Sequence, residues 1–154
     1  MKQNTKSVVI LMADDDPEDC MLTCEALIES RLTNTINTVS DGEELLDYLW
    51  HRGKYQDPES APRPGLILLD LNMPRLDGRE ALALIKKDPN LRRIPIVVLT
   101  TSKAEEDVFR SYDLGANSFI TKPVSFEAMV ALTKTFTQYW FSIVELPVED
   151  DAIR

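Results

Sequence analysis

The sequence is poor in the residues that build transition-metal and disulfide sites. It has two cysteines, Cys20 and Cys24, and a single histidine, His51. The cysteines stand four apart on a predicted helix, a spacing at which two thiols can share a metal. No second pair completes a ligand set and His51 belongs to another element, so they are read as two helix thiols of a reducing cytosol. Basic residues are also short, 17 against 26 acids, for a net charge of −9. That balance argues against nonspecific binding to nucleic acid or to an anionic membrane. Lys103, Lys122 and Lys134 are scattered and form no basic stripe. Long apolar runs are absent too. The run at 8–12 is too short for a signal peptide or a membrane span, which predicts a cytoplasmic protein. Internal repeats and low-complexity segments are missing as well.

What is present centres on residues 65–78, GLILLDLNMPRLDG. Leu66, Ile67, Leu68 and Leu69 run without polar alternation, the pattern of a strand buried on both faces. The run stops at Asp70, followed by a loop through Asn72, Met73 and Pro74 and then a helical stretch over 79–87. A carboxylate at the carboxyl end of a buried parallel strand lies where open α/β sheets bind ligands. Taken alone, Asp70 could equally cap the next helix.

The rest of the chain decides between the two. A first apolar strand at 8–12 also ends in acid, at Asp14, Asp15 and Asp16. Asp16 is placed to cap a helix that opens with Pro17 and runs to about Ser30, with Glu18 and Asp19 favourable to its dipole. A β-branched strand at 35–39 precedes a helix from Glu43 to about Arg52. Residues 53–65 hold three prolines and no periodicity, so they read as a loop feeding the third strand at the sheet end away from the acids. A fourth strand at 94–99 ends in Thr100, Thr101 and Ser102. A helix at 104–114 stops at Gly115, in the position of a left-handed cap. A short strand at 118–121 closes with Lys122 and Pro123. The last helix starts near Ser125, half of a capping box, and carries Phe126, Met129, Val130, Thr133, Phe136 and Trp140 at helical spacing.

Five strands alternating with five helices in 154 residues predict one α/β domain, a doubly wound parallel sheet of the flavodoxin-like order 2-1-3-4-5, with its crevice between strands 1 and 3. On that topology Asp14, Asp15, Asp70, Thr100 and Lys122 all fall at carboxyl ends of strands around one crevice. Apposed carboxylates raise one another's pKa or recruit a cation. Oxygen-only ligands favour magnesium or calcium over zinc. Magnesium, which keeps several waters, suits a site that also admits a phosphoryl group. A lysine ammonium and a threonine hydroxyl can then bind phosphoryl oxygens, which leaves Asp70 as the nucleophile of an aspartyl phosphate.

These residues, as a set, resemble the receiver domain of two-component response regulators over residues 7–140. The resemblance implies the following roles. Asp70 is the phosphoacceptor, and Thr100 and Lys122 are the hydroxyl and lysine that act on the phosphoryl group. Asp15, Asp70 and the backbone carbonyl of Asn72 ligate Mg2+, and Asp14 reaches it through a water. Phe119 falls at the aromatic switch position, three before Lys122, and keeps the ring of the family's tyrosine without its hydroxyl. The Lys122–Pro123 bond, typically cis in the family, can be cis here. The segment from Phe136 to Pro147 resembles the C-terminal extension of single-domain regulators paired with bacterial phytochromes. The implied partner is therefore a histidine kinase, such as a bacterial phytochrome, and the implied role is phosphoacceptor signalling and not enzymatic turnover of a substrate.

The domain is expected to span 1–146 with an acidic tail at 147–154, no output domain following it, and signalling by protein contact or phosphorelay. Leu132, Tyr139, Ile143 and Leu146 form a second apolar track on the last helix and tail. From it a homodimer through the fourth and fifth helices and the tail is expected. Three other readings compete. A phosphatase or mutase using an aspartyl nucleophile generally needs a second acid two residues on, where this chain has Asn72. A flavin-binding module would place three aspartates against the flavin phosphate. An unphosphorylated receiver-like scaffold would not need all five polar positions filled.

Overall fold

A computed structural model gives the architecture, with residues 8–29, 34–101 and 104–140 as its described part. In chain order the elements are β1 (Ile10–Ala13), α1 (Pro17–Glu29), β2 (Ile36–Val39), α2 (Gly42–Trp50), two 3-10 turns (Gly53–Tyr55 and Pro58–Ser60), β3 (Leu66–Leu69), α3 (Gly78–Lys87), β4 (Ile96–Thr100), α4 (Glu105–Asp113), β5 (Ser118–Thr121) and α5 (Phe126–Gln138). The strands form one parallel sheet in the order β2-β1-β3-β4-β5, as the sequence predicts.

The lack of polar alternation in β1 and β3 has a direct cause. Successive side chains point to opposite faces of a sheet, and here both faces are covered. Leu11, Ala13, Ile67 and Leu69 pack on one side with Leu45 and Leu49 of α2 and Leu82 and Ile85 of α3. Ile10, Met12, Leu66 and Leu68 pack on the other with Leu27 of α1 and Phe136 and Trp140. Each such buried leucine or isoleucine contributes about 2 kcal/mol by area, so a polar residue at any of these positions would be costly.

Several boundaries differ from the sequence reading. β4 begins at Ile96, not Ile94, because the Ile94 amide is spent on Leu91 in a turn and Pro95 has no N–H to give. Residues 53–65 are not plain loop. His51 ends α2 in the left-handed region at φ 57°, and Asp57 caps the turn that opens with Pro58. The Gly65 amide bonds to Val9, which keeps this segment at the amino end of the sheet. In α5 the inward stripe is Met129, Thr133, Phe136 and Trp140, while Phe126 is exposed, so the core stripe starts one turn later than its spacing implied. Lys122–Pro123 is trans, and no cis peptide occurs among the described residues. Gly115 takes the left-handed conformation its sequence position predicts, at φ 111°. Ile143, Leu146 and the acidic tail lie outside the described residues.

Candidate functional site

Three polar residues at the sheet's carboxyl edge are each placed by a backbone bond that extends a strand pair by one residue. The Asp14 amide bonds to Val39, the Asp70 amide to Ala13 and the Lys122 amide to Thr100. Asp14 and Asp70 therefore stand side by side on neighbouring strands, and Thr100 and Lys122 close the row.

The acidic turn after β1 is organised locally. Asp14 accepts from the Asp16 amide at 3.0 Å, and Asp16 caps α1 by accepting from the Glu18 amide at 2.9 Å. The loop after β3 is fixed more rigidly. Asp77, not Asp70, caps α3, in a reciprocal capping box with Glu80, which removes the capping role as an account of Asp70. Arg75 sits at φ 67° and pairs with Asp41 at 3.3 Å. Glycine is required at two neighbouring points. A Cβ at Gly42 would meet the Leu76 carbonyl oxygen at 2.0 Å, and one at Gly78 would meet the Asp70 carbonyl oxygen at 2.3 Å.

Asp70 is the hub. Its Oδ1 accepts from the Thr100 hydroxyl at 2.8 Å and from the Asn72 amide at 3.3 Å. Its Oδ2 accepts from the Lys122 ammonium at 3.3 Å. Lys122 also donates to Asp14 and, at 3.0 Å, to Asp19. The lysine is 7% exposed, so the lysine that the sequence assigns to the crevice is a buried cation. Burial works against its charge, yet the carboxylates of Asp14, Asp70 and Asp19 outweigh that and hold its pKa above the ordinary lysine value. Burial pushes Asp14 up, and Lys122 only partly offsets it. Both partners of this pair thus move upward. With three carboxylates around one nitrogen, the ammonium form of Lys122 is the direction the geometry supports.

Carboxylate oxygens of Asp14, Asp15 and Asp70 lie within 4.8 Å of one another, with Asp15 the exposed member. One ammonium cannot balance three carboxylates, and an all-oxygen donor set with surplus negative charge fits a hard divalent cation. Asn72 follows two residues after Asp70, with its amide on that carboxylate. Phe119 is half-buried against the α2–α3 side of the core, and its amide donates to the Tyr112 hydroxyl at 3.1 Å, tying β5 to α4. Cys20 lies close by, its thiol donating to the Asp14 carbonyl at 3.6 Å. Burial pushes that thiol's pKa up to about 11, so it stays protonated.

Two features escape a reading of the sequence. Asp19 joins the site across a separation of 103 residues from Lys122, and a helix-dipole role accounted for it fully. Arg79, at the start of α3, forms a two-pronged pair with Asp107 of α4, at 2.9 and 2.8 Å. Nothing in local spacing connects those two helices.

A profile of the response regulator receiver domain matches residues 10–134. The chain belongs to the response regulator receiver family. The receiver is 42% identical over 139 residues to the response regulator Rcp1 of Synechocystis sp. PCC 6803, covering 90% of this chain and 92% of that protein. Among solved structures, the phosphorylated cyanobacterial phytochrome response regulator RcpA superposes with a TM-score of 0.86 at 44% identity, covering 93% of this chain and all of that one. The Mn(2+)-bound form of Rcp1 gives 0.83 at 41% identity, covering 92% and 99%. Among the described residues, no helix is long and apolar enough to cross a membrane.

Proposed function

We propose that this receiver accepts a phosphoryl group on Asp70 from the phosphohistidine of a histidine kinase, with Mg2+ bound beside it. The observation that carries the reading is the position of Asp70: buried at the sheet edge, between the Thr100 hydroxyl and the Lys122 ammonium, beside Asp14 and Asp15. A carboxylate oxygen of Asp70 attacks phosphorus. The new P–O bond forms as the P–N bond breaks, and its electron pair leaves with the imidazole nitrogen. When bound, the cation supplies positive charge to the phosphoryl oxygens, held by Asp15, Asp70 and the Asn72 carbonyl, with Asp14 reaching it through a water. Lys122 and Thr100 supply the remaining donors, already aimed at the Asp70 oxygens and needing little reorganisation.

Asn72 stands where an aspartyl-phosphate phosphatase would carry its general acid, which favours a phosphoacceptor over a hydrolytic enzyme. Similarity to a cyanobacterial phytochrome response regulator that has been solved in phosphorylated form supports a phytochrome-type kinase as the donor. Output then passes by protein contact or phosphorelay from the cytoplasm, within a domain of 1–146 and a tail of 147–154. Phosphorylation is coupled to the β4–β5 side through Thr100 and Phe119. Any such shift requires contacts that differ between the two states. Exposed Phe109 and Tyr112 on α4 and Tyr139 after α5 support a homodimer through helices α4 and α5 and the tail. Incubation with a panel of autophosphorylated histidine kinases tests the assignment: label should appear on the wild type and not on Asp70→Asn.

A further inference from the structure

We propose that Asp19 is a positioning residue that holds the Lys122 ammonium in place for phosphoryl transfer. The inference rests on Asp70 being the phosphoacceptor. An ammonium has three protons to donate, and Lys122 gives one each to Asp14, Asp70 and Asp19. Asp70 loses its free carboxylate once it carries a phosphoryl group. Lys122 must then turn that donor toward a phosphoryl oxygen while its other two stay anchored.

Asp14, the other remaining acceptor, is shared between the ammonium and the acidic cluster that would hold the cation. Asp19 is outside that cluster. It rises from the first turn of α1, a helix end already fixed by the Asp16 cap, and approaches the ammonium from the rim.

Exposure separates this pair from an ordinary surface ion pair. The Asp19 side chain is 35% exposed but that of Lys122 only 4%. Exposed pairs contribute little. Here one partner is desolvated, so losing an acceptor leaves a buried cation under-coordinated. Asp19 also adds a fourth negative charge to a site whose three carboxylates already repel, which costs stability unless the charge is used. Holding Lys122 is the use its geometry offers.

The test uses acetyl phosphate as the probe at saturating magnesium, with the maximal rate of Asp70 phosphorylation read by gel mobility. Asp19→Ala should lower that rate about tenfold while the magnesium concentration for half-saturation stays within threefold, since Asp19 is not among the grouped ligands. Asp19→Glu should restore at least half of the loss. The isosteric Asp19→Asn repeats the direction should the alanine variant fail to fold. In a Lys122→Ala background the same substitution should do nothing further. A rate within twofold of wild type, a rise in rate, or an equal loss in the Lys122→Ala background overturns the inference. A wild type that stays unlabelled, or an Asp70→Asn that labels, overturns the phosphoacceptor reading and this inference with it.

Discussion

Thr100 and Asp70 are joined by a hydrogen bond of 2.8 Å between two buried side chains on neighbouring strands. Asp70, the proposed phosphoacceptor, therefore has a hydroxyl donor on one oxygen before any phosphoryl group arrives. Thr100→Val keeps the shape and removes the donor. It should cost only about 1 kcal/mol in stability, because the Asn72 amide still serves that oxygen, yet slow phosphorylation several-fold. Paired denaturant titrations and phosphorylation time courses check this. A rate loss that merely tracks instability would count against a direct role.

Lys122 balances part of the charge of three carboxylates. Truncating one partner of a buried pair typically costs about 3 kcal/mol or more, so Lys122→Ala should lower the melting temperature sharply in the absence of metal. Magnesium should then stabilise the variant by more than it stabilises wild type, because a more negative pocket binds the cation more tightly. Equal magnesium shifts in the two proteins would contradict the charge balance described above. Asp15→Ala should lose the magnesium effect while keeping the fold.

Away from the site, Glu44 accepts from the Tyr55 hydroxyl at 2.6 Å and pairs with Lys54 at 3.0 Å. Burial would raise its pKa, but the Tyr55 hydroxyl, the Ser40 amide and hydroxyl, and Lys54 outweigh that and hold it at about 2, against 4.5 when unperturbed. The folded value lies below the unfolded one. Stability from this group is therefore complete above about 4.5 and is lost as pH falls through about 2. The contribution is roughly 2 kcal/mol after allowance for partial exposure. Tyr55→Phe should flatten this acid limb and cost about 1 kcal/mol at neutral pH, measured by denaturant titration across that range.

Light scattering at tens of micromolar should give a dimer for the intact chain and a monomer for one truncated after Trp140, which keeps that core residue. Tyr139 and Phe109 are 50% and 77% exposed, consistent with an unfilled apolar face. A folded, intact monomer, phosphorylated or not, would rule the dimer out.

The sequence carried the fold because both signals it offered were short-range. Apolar runs of four or five residues marked strands covered on both faces, and punctuation by Asp16-Pro17, Ser125 and Gly115 marked helix ends. The site was legible for a related reason. In a parallel sheet of this order, residues at strand ends converge without needing any knowledge of side-chain direction, so Asp14, Asp15, Asp70, Thr100 and Lys122 fell together. Contacts between elements distant in sequence were not legible. Asp19 reaches Lys122, and Arg79 reaches Asp107, through tertiary placement that no local pattern encodes. The 53–65 segment was opaque for another reason: its turns are set by single caps and a left-handed His51, which leave no period to read.

Everything proposed for this receiver depends on Asp70 being the residue that carries the phosphoryl group. The most direct measurement is phosphotransfer from a purified, autophosphorylated histidine kinase of the phytochrome type, with and without magnesium, to wild type and to Asp70→Asn. Magnesium-dependent, base-labile label is expected on the wild type and none on a folded Asp70→Asn. Label at the wild-type rate on Asp70→Asn would contradict that role for Asp70.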